Sequence, residues 1–348
     1  MNLGVVDNMP NIIDSFRQLP LTFYLTFAAV FGVIFGSFSN VLIWRLPRKE
    51  SILKPGSHCP HCNKPIRFYD NVPLLSYLIL RGKCRDCHKH ISARYPLVEL
   101  LVALIAIWGI VVWQGDAPRQ LLAFLLAPVL ITLALIDIES MELPDSLITA
   151  VAVIGVAAVP LEAGKDFLTE TGILLGTILV LSLLWRWAFG GDPTPEEEAE
   201  AEQAEPTIKE RFYWGGGSFL VGLTMLVTGF VLSFRIEGWN TVWGLLVGGG
   251  GLLCLWGLFL FLQGREAIGL GDVKLMAALG IITGPGKILI AYIIGAVLGI
   301  FIWVVLRFLK KQGTDQPFPF GPALISGAWV AWLHGEQFLN WYMKFIFS

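Results

Sequence analysis

Two aspartates and four cysteines carry the chemistry open to this chain. Asp272 closes the run Gly269-Leu270-Gly271-Asp272, with apolar stretches at 242–262 before it and 273–282 after it. An ionisable group at the edge of a membrane span is costly and points to function. Asp137 ends another apolar span in the same way. Two such acids on one membrane face suit peptide hydrolysis, because like charges a few ångströms apart cannot both ionise easily. One stays protonated and donates to the scissile carbonyl, while the other activates water, and the pair titrates as a unit. Gly269 and Gly271 let the backbone approach a substrate strand closely, although the same run also reads as a helix N-cap after a glycine turn. Lys274, two residues on, can tune an acid or reach phosphate headgroups. Asp145, after Pro144, reads as an N-cap for a helix over 146–161. Asp137 has no cap role, since the C-terminal end of a helix disfavours negative charge.

The cysteines form a second constellation. Cys59-x2-Cys62 is followed by 21 residues and then Cys84-x2-Cys87. Paired knuckles of this kind signal metal, and four thiolates suit a structural Zn2+ with no open position. Two disulfides are the alternative, but the basic loop that carries them is expected in the cytoplasm, where disulfides are rare. His58, His61, His88 and His90 crowd the knuckles and are expected outside the metal shell. Cys254 stands alone in an apolar span as a small buried hydrophobe.

Positioning these groups requires a membrane. The chain is 55% hydrophobic and 15% charged, where a soluble globule carries about 25% charged residues. The reading is an all-α polytopic membrane protein of about 8–10 transmembrane helices with a small cytoplasmic zinc-binding loop domain. Candidate spans are 21–44, 97–113, 121–136, 146–161, 172–189, 217–234, 241–262, 273–284, 288–308 and 319–334. From Arg45 to Arg94 there are 11 Lys/Arg against three acids, so this loop faces the cytoplasm and the N-terminus lies outside. Alternation then places 137–145, 190–216, 264–272 and 307–318 in the cytoplasm, with Asp137 and Asp272 on that face. The expected organisation is 1–44 (first span), 45–96 (four-Cys domain), 97–190 (helices carrying the first Asp), 191–216 (acidic linker) and 217–348 (helices carrying the Gly-x-Gly-Asp run). The linker holds eight acids between Gly191 and Glu210 and lacks apolar residues to bury. The aromatic tail 338–347 is expected at the interface. No internal repeat is read, the oligomeric state is left open, and nothing points to nucleic acid.

In order along the chain, these motifs resemble the bacterial type IV prepilin leader peptidases, membrane aspartyl proteases of the GxGD type. The resemblance rests on Gly36-Ser37-Phe38-Ser39-Asn40-Val41-Leu42-Ile43-Trp44-Arg45-Leu46-Pro47, the two knuckles, Tyr69 to Tyr77, Arg81 to Cys84 and Ile91 to Glu99. It continues through Asp137 to Asp145, Gly269 to Lys274, and Pro319-Phe320-Gly321-Pro322. It implies that Asp137 and Asp272 are the catalytic pair, supported by Gly269, Gly271, Lys274 and Asp145. It also implies N-methylation of the newly exposed residue with S-adenosylmethionine as donor; Asn40, Arg45 and Glu99 are the candidate donor-site residues. The implied partners are prepilins and type II secretion pseudopilins, in a multi-pass protein of the bacterial inner membrane among its lipids. The separation of Asp137 and Asp272 exceeds the family's usual spacing by two spans plus the acidic linker, an even number of crossings that preserves parity. The rival readings are a transporter using both acids as proton or cation sites, and a peptidase lacking methyl transfer.

Overall fold

The computed structural model describes residues 19–163, 216–233, 240–264, 268–310 and 318–347. Among these residues the chain is helical, with no strand and only two isolated bridges. It divides into two compact units, Met1–Pro144 and Asp145–Ser348. Among the described residues five helices are long and apolar enough to cross a membrane, and two shorter ones are also apolar. Nine of the ten expected spans coincide with helical segments; the tenth, 172–189, and the acidic linker lie outside the described residues.

The first unit is built on α1 (Leu21–Arg45), α2 (Leu75–Ile79), α3 (Arg94–Val112) and α4 (Ala117–Ser140). Along α1, Ala28, Gly32, Gly36, Ser39, Asn40 and Ile43 are buried, a stripe recurring every three or four residues. The stripe faces α3 at backbone contact. A Cβ at Gly32 would lie 2.7 Å from Ala103 Cα, and one at Gly36 would lie 2.5 Å from Glu99 Cα. Small residues four apart allow this approach, where lipid offers no hydrophobic drive and packing must supply the association. A neighbouring face carries Phe23, Phe27, Phe31, Phe35 and Phe38, all partly exposed as a surface toward lipid would be, with Phe27 and Phe35 also touching Phe124 of α4. Because 32 meets 103 and 36 meets 99, α1 and α3 run antiparallel. A tight turn then returns the chain through α4, whose Gln120 donates to the Ile110 carbonyl at 3.1 Å. Pro128 inside α4 contributes no N–H, and its own carbonyl accepts from Thr132 Oγ1 at 2.6 Å and Ser39 Oγ at 3.4 Å. At the far end Arg94 pairs with Glu139 at 2.6 Å. The end of α1, the start of α3 and the end of α4 therefore share one side, where the cysteine loop emerges.

The second unit comprises α5 (Asp145–Ala163), α6 (Gly217–Ser233), α7 (Asn240–Gln263), α8 (Leu270–Lys310) and α9 (Gly321–Phe347). The long α8 is broken at Gly284, where φ is 75° and ψ is 172°, with Pro285 following. Both legs meet α7 at one level. A Cβ at Gly248 would strike the Met276 carbonyl, while the Tyr292 hydroxyl donates to the Gly248 carbonyl. Residues 276 and 292 would stand about 24 Å apart on a straight helix, so α8 is a hairpin of two legs. This agrees with the separate spans expected at 273–284 and 288–308. Glycines set the remaining pairings: Gly222 lies against Cys254 and Gly250 against Leu226, making α6 and α7 antiparallel, and Gly295 meets Leu324 while Gly327 meets Ala291, making the second leg and α9 antiparallel. Gly155 packs on Ile281 and Ile282 and Asp145 pairs with Lys274, so α5 runs parallel to the first leg. Within this unit the starts of α5, α6, α8 and α9 lie at one end.

Candidate active site and metal centre

Asp137 sits in the last turn of α4, buried with 6% of its surface exposed. The helix continues to Ser140 and closes with Met141 in the left-handed region at φ 55°, its N–H bonded to the Asp137 carbonyl at 2.9 Å. The backbone of Asp137 therefore terminates the helix, while its side chain occupies the interior. Asp272 lies in the first turn of α8, 8% exposed, its N–H on the Gly269 carbonyl at 3.0 Å. A helix N-terminus favours a carboxylate and a C-terminus disfavours one, so the two acids meet opposite helix-dipole fields.

Lys274, two residues after Asp272, donates to both Asp145 oxygens at 3.0 Å. Asp145 is the first residue of α5, and its carboxylate serves this ion pair, where the sequence suggested an N-cap. The pair ties the turn bearing Asp272 to the start of α5.

The four cysteines converge, with ligand atoms all within 4.8 Å of one another. The Cys59 and Cys87 sulfurs are 3.8 Å apart, the edge of a tetrahedron with metal–sulfur bonds of about 2.3 Å. No disulfide joins them. The backbone N–H groups of Cys87 and Asp86 draw the Cys84 thiol down to about 7. The Lys89 N–H pulls Cys87 the same way, but burial and the neighbouring sulfurs hold it at about 11. The donor set and its geometry fit Zn2+ as a closed structural site.

The knuckles repeat each other at an offset of 25 residues, contrary to the expectation of no internal repeat. Cys59 N–H bonds Lys64 O as Cys84 N–H bonds Lys89 O, and Asn63 N–H bonds Cys59 O as His88 N–H bonds Cys84 O. Asn63 and His88 both take positive φ, 56° and 57°. The bridges His58–Pro65 and Lys83–His90 correspond as well. Aligning Cys59-Pro-His-Cys62-Asn-Lys64 with Cys84-Arg-Asp-Cys87-His-Lys89 would have found this repeat. Two ion pairs brace the knuckles: Lys64 with Asp86 at 3.0 Å, and Arg85 with Asp70 at 2.7 and 2.5 Å. The Arg85 hydrogen bonds hold the Asp70 carboxyl below the usual carboxylate range.

Asn40, Arg45 and Glu99 are all buried, and each faces backbone. Arg45 donates to the Ser51 and Pro55 carbonyls at 2.8 and 2.6 Å. Glu99 accepts from the Leu74 N–H at 2.7 Å and from the Ser37 hydroxyl. Asn40 donates to Tyr95 O at 3.1 Å and Gly36 O at 3.3 Å, leaving its Oδ1 buried without a hydrogen-bond partner. Arg45 and Glu99 thus fasten the loop to the helices, a role not legible in their motifs.

Residues 30–114 match the bacterial Peptidase A24 N-terminal domain, and residues 218–304 match the type IV leader peptidase family. The first range holds the knuckles with Asn40, Arg45 and Glu99; the second holds Asp272; Asp137 falls between them. The chain is 31% identical to the prepilin leader peptidase/N-methyltransferase of Aeromonas hydrophila, over 92% of this chain and 94% of that protein. It is 32% identical to the protein of that name from Stutzerimonas stutzeri, over 94% and 96%. A type 4 prepilin-like proteins leader peptide-processing enzyme of Escherichia coli is 31% identical over 91% and 96%. No solved structure matches. With these relatives aligned along nearly its whole length, the multi-pass membrane chain belongs to the type IV leader peptidase family.

Proposed function

We propose that this chain removes the leader peptide of type IV prepilins and type II secretion pseudopilins by an aspartyl mechanism and then N-methylates the exposed residue. Methyl transfer follows from the relatives' names and would draw on S-adenosylmethionine. Cleavage is carried by one observation: two buried carboxylates, Asp137 in the last turn of one apolar helix and Asp272 in the first turn of another, in a chain of few charges. Chain reach supports a common face for them. The four residues 141–144, between the end of α4 and the start of α5, extend at most about 14 Å, too little to cross a hydrocarbon core of about 30 Å. The start of α5 is in turn paired with the start of α8 through Asp145 and Lys274. That face carries the basic loop, so it is cytoplasmic, with the N-terminus outside. Asp272, favoured as an anion by its helix start, activates the water; Asp137, disfavoured as an anion, donates to the scissile carbonyl. The loop at 45–96 binds Zn2+ structurally through Cys59, Cys62, Cys84 and Cys87.

The test is cleavage of a purified prepilin by wild type, Asp137→Asn and Asp272→Asn in detergent. Both substitutions abolish cleavage on this reading, while methylation of a pre-cleaved pilin survives in both. Cleavage persisting in either variant overturns the pair.

A further inference from the structure

The loop between α1 and α3 presents an inverted surface. Its short helix α2 turns Leu75, Leu78 and Ile79 outward at 53%, 71% and 65% exposure, and buries Ser76. Those three residues are spaced i, i+3, i+4 and form one apolar face. Phe68, 86% exposed, belongs to the turn that α2 touches, since Ser76 donates to the Tyr69 carbonyl at 3.1 Å. Exposed Arg67, Arg81 and Lys83 flank these residues along the chain.

The height of this patch is set by a buried contact. Leu74, immediately before α2, gives its N–H to Glu99 at 2.7 Å. Glu99 lies five residues inside α3 and level with Gly36, nine residues inside α1. Side chains on a helix lean toward its N-terminus, so the Glu99 carboxylate reaches to about the level of Tyr95. Asn40 bonds the Tyr95 carbonyl from α1 at 3.1 Å, which fixes that level on both helices. Trp44 and Tyr95, both exposed, mark the same zone, the depth at which amphipathic aromatics gather in bilayers. The apolar face of α2 is therefore held at the boundary of headgroups and acyl chains, with cations flanking it in the chain.

We propose that α2, with Phe68, is seated in the bilayer interface, its apolar face against acyl chains and its flanking cations against anionic headgroups. Glu99 is the peg that sets its depth. The metal loop is then a membrane-resting element, fastened from above by lipid as well as from below by protein. This inference is independent of the proposed cleavage chemistry.

The test uses the full chain in nanodiscs containing phosphatidylglycerol, with Cys254→Ser and a fluorophore on Leu78→Cys, the zinc ligands protected by metal. A lipid bearing a nitroxide near the carbonyl end of its acyl chain is expected to quench residue 78 several-fold more than the same fluorophore on His90→Cys. Aqueous iodide is expected to show the reverse order. Equal accessibility of the two sites to iodide would overturn the proposal. So would shielding of residue 78 that appears only when prepilin is added, which would make the patch a substrate-docking face. Adding Glu99→Gln should reduce lipid quenching at residue 78 while zinc content is retained, a separation that misfolding of the loop would not produce.

Discussion

Breaking the Lys274–Asp145 pair separates stability from catalysis. The two side chains are 39% and 70% exposed and bonded at 3.0 Å, and exposed pairs of this kind contribute roughly 0.2–1 kcal/mol. Lys274→Met or Asp145→Asn should therefore lower folding stability by no more than about 1 kcal/mol. The effect on the reaction is larger, because the pair holds the turn that carries Asp272. Loosening that turn by about 1 Å costs on the order of a hundredfold in rate when reacting groups must be pre-aligned. Prepilin cleavage should then show kcat reduced roughly ten- to a hundredfold with KM little changed. The exchange Asp145→Lys with Lys274→Asp restores the attraction with its polarity reversed, and should recover a large part of the lost kcat. Steady-state cleavage in detergent, with the folded fraction measured alongside, reads both quantities. Single variants that cleave within twofold of wild type would refute the reasoning. A rate loss that merely tracks the unfolded fraction would refute it equally.

Other outcomes follow from the loop and the helix seams. Cys84→Ser should lose bound zinc, and the loop should become sensitive to protease while the helices stay intact; metal analysis with limited proteolysis checks this. The Arg85–Asp70 pair stabilises the loop at neutral pH, because the folded Asp70 carboxyl lies below its unfolded value. That contribution is complete above the unfolded carboxylate range and is lost as pH falls through the folded value. Asp70→Asn should remove this part of the acid-side decline in loop protection. Gly36→Ala puts a Cβ 2.5 Å from the Glu99 backbone and should cost about 1–3 kcal/mol by overpacking. The readout is thermal unfolding in detergent, and Gly56→Ala, with open space around it, is the control.

The cysteine spacing disclosed the four-cysteine cluster because the cysteines of a knuckle are close in sequence as well as in space. The hairpin of α8 was likewise legible, since two short apolar runs meet at Gly284-Pro285. Asp137 and Asp272 stood out because charge is rare in spans. The union of Lys274 with Asp145 was not legible, for it joins residues 129 positions apart and neither side chain advertises a partner. Arg45 and Glu99 sit in motifs that suggested ligand binding, yet their hydrogen bonds go to loop carbonyls and an N–H whose positions only the folded loop defines. The knuckle repeat was present in the letters but obscured by unlike residues at four of the six aligned positions from Pro60/Arg85 to Pro65/His90.

The two clamps on the metal loop come from opposite directions along the chain, and this imposes an order on synthesis. Arg45 precedes all four cysteines, so the first clamp can close while the knuckles are still being made. Glu99 follows Cys87 by twelve residues, so the second clamp waits until the next helix has emerged from the ribosome and entered the bilayer. In order of synthesis the four cysteines thus fall between the two fastenings, emerging while the loop is held by one end only.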